Sequence, residues 1–255
     1  MTRSTHTGRP RALADRPLSP RQLELLRWVV RLGAVTDEAL ALREGSTRTA
    51  ARSRLSAATR AGLLSRERVL AQGPALYVAN SAGIRASQLR GLEPCRVSAS
   101  GAAHAIACAL TAAALEHAYP DHEVMGEREL RLAEREARRP LASAVLGERR
   151  EGGALLHRPD LVLWPREDPG GAPVAVEVEL TVKAPRRLQE ICRGWGRSRC
   201  VAGTVYLASA EAIRPLARAI ERAGAGERVA LVPIASLPTT TGRLDASART
   251  VPSGA

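Results

Sequence analysis

Apolar positions recur at helical spacing between Ser19 and Gly33: Leu23, Leu26, Val29 and Val30 share a face. Ser19 is a ready N-cap, Pro20 suits the first helical position and Gly33 ends the run. Thr36 then caps a short segment, Asp37 to Arg43, with acidic residues in its first turn and Gly45 behind it, which predicts a second helix. A third is predicted from about Thr47 to Ala61, ending at Gly62. Two extended runs follow, Ser65 to Ala71 and Ala75 to Ala79. Gln72, Gly73 and Pro74 join them as a turn, so the pattern is a hairpin. Three helices and a hairpin in that order predict a winged helix-turn-helix over residues 18–90.

Beyond a linker around 89–100 the pattern changes. An Ala-rich helix is predicted over 102–117, stopping before Tyr119-Pro120. Strands at 161–164, 174–182, 201–208 and 228–234 alternate with helices at 185–195 and 210–223. Strands separated by helices imply an α/β domain with a mixed sheet, placed over 100–238, in a chain that is α+β overall. Residues 1–17 and 242–255 carry too little apolar content to bury a core and are expected to be a disordered basic arm and a disordered tail.

Charge sharpens this division. The formal net charge is +12, and residues 1–90 hold sixteen Arg and no Lys against six acidic residues. The remainder is nearly balanced, so the electrostatic footprint of an anionic partner belongs to the N-terminal part. Arg is nevertheless favoured everywhere: Lys183 is the only lysine and Phe is absent, which reduces what an arginine count alone can prove. Cys95, Cys108, Cys192 and Cys200 form no CxxC pair and have no His at zinc-finger spacing, so they read as buried side chains or free thiols. The polar N-terminus does not resemble a secretory leader, and the most apolar stretch, Gly101 to Leu115, is short for a bilayer span. A cytoplasmic protein without a membrane partner is expected.

On the third helix Ala51, Leu55, Ala58 and Gly62 form a narrow stripe that can pack, while Arg48, Thr49, Arg52, Ser53, Ser56, Thr59 and Arg60 cover the other side. Arg can bond two acceptors on guanine or grip phosphates, and Ser or Thr can reach bases or backbone. Arg66 and Arg68 alternate on the hairpin, where a neighbouring phosphate strand would pass. The expected partner is double-stranded DNA. The plainer reading, a solvated helix face in an arginine-rich chain, does not account for the coincidence of charge, helix order and hairpin.

The segment Ala175 to Lys183 raises a different question. As one strand it would put Glu177, Glu179, Thr181 and Lys183 on one face and Val176, Val178, Leu180 and Val182 on the other. An inner strand of an α/β sheet is ordinarily apolar on both faces, so paired glutamates need a reason. Upstream, His157-Arg158-Pro159-Asp160 leads into the strand at 161–164, and Glu127 lies in a charged segment. His104 on the Ala-rich helix reads as a packed core histidine, and His157 as structural. Neither a nucleophile elbow, a phosphate-binding Gly-rich loop nor a dinucleotide fingerprint is present. Tyr and Trp are too few for a single-strand stacking platform.

The order Glu127, Pro159-Asp160, then Glu177-x-Glu179 before a helix resembles the PD-(D/E)xK nuclease-like fold. The whole chain over roughly 18–235 is similar to the actinobacterial replication-relaxation family of plasmids and other mobile elements. The segments carrying the likeness are the predicted winged helix, His104, GEREL at 126–130, RPDLVLW at 158–164, VAVEVELTVKAPRRLQEI at 174–191 and VYLAS at 205–209. The resemblance implies restriction-endonuclease-like topology, with Asp160 and Glu177 holding Mg²⁺ and Glu127 supporting them. It also implies a lysine where this chain has Glu179. Lys183 could replace it, but the strand rise sets it roughly 13 Å from Glu179. The alternative is a retired nuclease fold in which Glu177 and Glu179 pair with Arg158, Arg186 or Arg187. The expectation is a DNA-binding accessory protein of replication, relaxation or mobilisation, working with replication or mobilisation proteins. Its rivals are a Mg²⁺-dependent nuclease or nicking enzyme and a transcriptional regulator.

Overall fold

A computed structural model describes residues 17–168 and 170–237. The expected basic arm, apart from residue 17, and the expected tail lie outside the described residues. Within them the chain is α+β, with eight α-helices and ten strands.

Three helices open the chain: α1 (Pro20–Leu32), α2 (Asp37–Glu44) and α3 (Arg48–Arg60). Each begins where the sequence offers a cap: Ser19 makes a capping box with Gln22, Thr36 accepts from the Ala39 amide and Thr47 from the Ala50 amide. Gly45 takes the left-handed conformation that closes α2, as a residue without Cβ does easily. Strands β2 (Leu64–Glu67) and β3 (Leu76–Ala79) form the hairpin, shorter than expected, so Arg68 lies in the loop after β2. Two elements of this N-terminal part escaped the sequence pattern: β1 (Ala34–Val35), which pairs with β3, and α4 (Ser81–Ser87), capped by Asn80. Gly83 lets α4 lie on the chain beside it, because a Cβ there would come within 2.1 Å of the Leu63 carbonyl oxygen.

The Ala-rich helix α5 (Ala99–Ala118) is longer than expected, and by length and composition it could cross a membrane. Its side chains serve three cores instead. Ala109 and Ala113 pack with α1, α2 and α3; Ala112 and Leu115 pack beneath the large sheet; Ala102 packs with Ala34 and Leu76.

Next come β4 (His122–Gly126), α6 (Glu127–Ala137), the hairpin β5 (Ala144–Glu148) and β6 (Ala154–His157), and then β7 (Leu161–Pro165) and β8 (Val174–Glu179). The chain continues through α7 (Pro185–Arg197), β9 (Gly203–Ala208), α8 (Ala210–Ala223), β10 (Val229–Pro233) and a 3-10 turn at Ile234–Ser236. The five-stranded sheet runs β10-β9-β8-β7-β4. Its β8, β9 and β10 are mutually parallel, whereas β7 is antiparallel to both β8 and β4, so the sheet is mixed. Trp195, Leu188, Ile191 and Tyr206 fill the core on its α7 and α8 side.

Polar ties join the N-terminal helices to this half. Trp28 Nε1 donates to Glu116 at 2.9 Å, and the Arg43 guanidinium bonds the same carboxylate at 2.6 Å. Arg31 pairs with Glu123 at 2.7 Å, and Arg128 donates to the Val30 carbonyl at 2.9 Å.

Candidate functional site

The first candidate is the face made by α3 and the β2–β3 hairpin. Ala51 and Leu55 are buried and Ala58 packs against the same core, as the stripe predicted. Arg48, Thr49, Arg52, Ser53 and Arg60 are exposed, and Ser56 is half-buried. Thr59 bonds back to the Leu55 carbonyl at 2.9 Å, which removes its hydroxyl proton from outward use. Arg66 and Arg68 line a hollow of about 410 Å³ together with Arg48 and Arg52. Also lining it, the buried Asp37 takes Arg48 on one oxygen at 3.2 Å and Arg52 on the other at 2.7 Å. Burial alone would raise the Asp37 carboxyl, but the two guanidiniums outweigh it and hold it below the usual carboxylate value; Arg52 is raised in return. Asp37 thus orients two arginines without hiding them, since both side chains remain more than half exposed. The sequence pattern identified the arginines and missed this anchor, although an Asp in the first turn of α2 is a local signal.

The second candidate lies at the start of β7 and the end of β8. Gly126 is in register with Leu161, and Leu161 with Val176, so Glu127, Asp160 and Glu177 follow one another across three neighbouring strands. The Glu127 amide also donates to the Asp160 carbonyl at 3.0 Å. Asp160 Oδ2 accepts from the Val178 amide at 2.8 Å and Oδ1 meets His104 Nε2 at 2.9 Å. His104 is half-exposed rather than packed in a core, and Asp160 raises its pKa against the opposing effect of burial. Cys108, one turn along α5, brings Sγ to 3.4 Å from the same His104 nitrogen.

Glu177 and Glu179 are both almost fully buried, on alternate positions of β8. Their partners differ from those expected. Glu177 Oε1 is held by His157 Nε2 at 2.7 Å and Trp195 Nε1 at 3.0 Å; burial pushes its carboxyl up and His157 pulls it part of the way back. Arg158 goes to the buried Glu134 at 2.9 Å, and Arg187 pairs with Glu190. Strand β8 ends at Glu179, so Thr181 and Lys183 do not extend its face. The chain turns before Pro185, and Lys183 reaches back to pair with Glu179. Glu127 caps the row from the first turn of α6, in an ion pair with Arg131.

Asp160 and Glu177 would have to exchange their present partners to hold hydrated Mg²⁺. That ion needs a near-octahedral oxygen shell and keeps several waters. Asp160 has both oxygens engaged, and Glu177 is fastened inside the core by His157 and Trp195. Sequence reasoning missed Trp195, whose indole gives no local signal of its partner. Cys108 was detectable, since it stands four residues after His104 and so on the same helical face.

No family model matches the chain, and no curated protein matches it. Among solved structures, the crystal structure of protein VC1899 from Vibrio cholerae is similar at 15% identity with a TM-score of 0.31, over 87% of this chain and 55% of that one. The chain thus spans about half the length of that protein, and a likeness so loose says nothing of function.

Proposed function

We propose that this chain is a cytoplasmic, DNA-binding accessory protein of plasmid or mobile-element replication, relaxation or mobilisation, similar to the replication-relaxation family. It docks on duplex DNA as a winged helix, with α3 in the major groove and the β2–β3 hairpin as the wing. The observation that carries this reading is the exposed arginine set on α3 and the hairpin, two members of which are oriented by a buried carboxylate. Such a face offers preformed donors to phosphates and base edges at little ordering cost.

In the large sheet, the antiparallel run β4-β7-β8 followed by a parallel crossover through α7 to β9 supports a nuclease-like topology. Satisfied carboxylates favour a form of that fold used for binding or assembly. The return of Lys183 to Glu179 is the one observation that favours the rival, a metal-dependent nuclease.

The test is fluorescence titration of labelled duplex DNA across a salt series with the wild type and an Arg66→Ala/Arg68→Ala variant. Affinity should fall with salt, and the variant's log–log slope should be shallower by roughly two, at about 0.9 for each phosphate that is no longer neutralised. Equal slopes would remove the hairpin from the interface, and absence of binding at low salt would end the DNA reading. Incubation with supercoiled plasmid and Mg²⁺ or Mn²⁺ should leave the plasmid intact. Nicking that disappears in Asp160→Ala would establish the nuclease instead.

A further inference from the structure

We propose that His104, Cys108 and Asp160 form a binding site for a borderline transition-metal ion, of which Zn²⁺ is the best fit, and that the ion clips α5 to the sheet. This goes beyond DNA binding and does not depend on it. One ligand atom from each residue lies within 4.8 Å of the other two. Tetrahedral Zn²⁺ with bonds of about 2.0–2.3 Å sets its ligand atoms roughly 3.3–3.7 Å apart. The Cys108 Sγ to His104 Nε2 separation of 3.4 Å already meets that requirement. The His104 to Asp160 contact at 2.9 Å needs to open by roughly half an ångström as the ion replaces the shared proton.

The donor set decides the class of metal. A thiol and an imidazole select Zn²⁺ and its neighbours over Mg²⁺ or Ca²⁺, which take oxygen. On binding, the Cys108 S–H proton leaves to solvent and the proton shared by His104 Nε2 and Asp160 passes through solvent to Nδ1, so that neutral His104 ligates through Nε2 while Cys108 thiolate and Asp160 balance the two positive charges. Burial pushes the Cys108 thiol up, and Asp160, Glu177 and Glu127 push it further. The carboxylates that oppose a thiolate standing alone attract a cation placed beside it. His104 is half-exposed, which leaves a path of entry and room for a fourth, exchangeable ligand.

The position of the site gives it a consequence. The same helix packs Ala109 and Ala113 against the N-terminal helices and supplies two ligands toward Asp160 on the sheet. An ion here would stiffen the connection between the DNA-facing half and the carboxylate cluster.

The experiment is titration of the metal-free 255-residue chain with Co²⁺ as a spectroscopic substitute for Zn²⁺, without DNA, so that its outcome is separate from that of DNA binding. One equivalent should produce a thiolate-to-cobalt charge-transfer band that Zn²⁺ bleaches. Cys108→Ser should abolish the band and weaken Zn²⁺ binding by more than about tenfold, whereas Cys200→Ser should leave both unchanged. The half-exposed His104→Ala is the second variant should Cys108→Ser fail to fold, and it should lose the band as well. Zn²⁺ should raise the melting temperature of the wild type and of neither ligand variant. Absence of one-equivalent binding, or binding without a thiolate band, would overturn the site.

Discussion

The α3 face and the β8 cluster both bring basic groups to carboxylates, yet their geometry is opposite. On α3 one buried carboxylate, Asp37, holds two arginines that remain exposed. On β8 two carboxylates are buried; His157 and Trp195 come inward to Glu177, while Lys183 reaches Glu179 from the surface. In the first case the buried charge supports outward donors available to a ligand. In the second the two donors to Glu177 are used up by the interior, and the result there is cohesion. An ionic cluster alone therefore does not mark a binding site; which member stays in solvent decides.

The largest effect that would test this contrast is expected at Trp195. Its ring is fully buried and its indole N–H holds Glu177. Trp195→Ala should cost roughly 3–5 kcal/mol by loss of packing alone, read as a lower urea midpoint. A near-neutral result would mean that the cluster is not a structural core. Gly83→Ala comes next. Its Cβ would meet a backbone carbonyl that cannot move aside cheaply, so a loss of about 1–3 kcal/mol is expected in the same assay.

Arg48→Ala/Arg52→Ala sharpens the comparison further. It should weaken DNA binding about as strongly as the hairpin variant does, but it should also lower the melting temperature, because Asp37 is left buried without partners. Arg66→Ala/Arg68→Ala should lower affinity with the melting temperature unchanged. Similar melting temperatures for both variants would show that Asp37 is not an anchor.

The smallest expected effect is in acid. The Asp37 carboxyl is held below its ordinary value of 3.8, so its contribution is complete above that value and is lost as pH falls through the lowered one. Asp37→Asn should therefore flatten the acid limb of a stability-against-pH curve below about pH 4 and leave the neutral region's slope alone. An unchanged acid limb would remove the ion pairs from the folded state in solution.

Much of the fold could be read in the sequence because the helices declare their own ends. Ser19 and Thr36 cap where expected, α3 begins one residue after its predicted start with Thr47 as its cap, and α8 covers the predicted 210–223, its cap Ser209 bonding the Ala212 amide. The elements that escaped are short or at an edge. Strand β1 has two residues, β4 is a polar edge strand, and the β5–β6 hairpin is largely exposed and interrupted at Gly147. Helix α6 looked like a charged segment because Leu130 is its one fully buried apolar residue. At the site, the alternation of Glu177 and Glu179 was visible and their partners were not. His157 and Trp195 arrive from segments 20 and 18 residues away, and His104 meets Asp160 across 56. Periodicity reports which face a residue occupies and is silent on who meets it there.

The Ala-rich helix also bears on how such a protein can change over generations. Because one helix supplies side chains to the cores of both halves, neither half has a complete interior without it. A genetic exchange joined in the stretch before Ser98 would give the recipient's α5 a foreign surface at Leu40 and Ala41. Recombinants that trade only the N-terminal half should then recover solubility through compensating changes at Ala109 and Ala113, where the incoming partner must be fitted. The two halves are expected to be inherited together, with novelty entering through the exposed arginines of α3 and the hairpin.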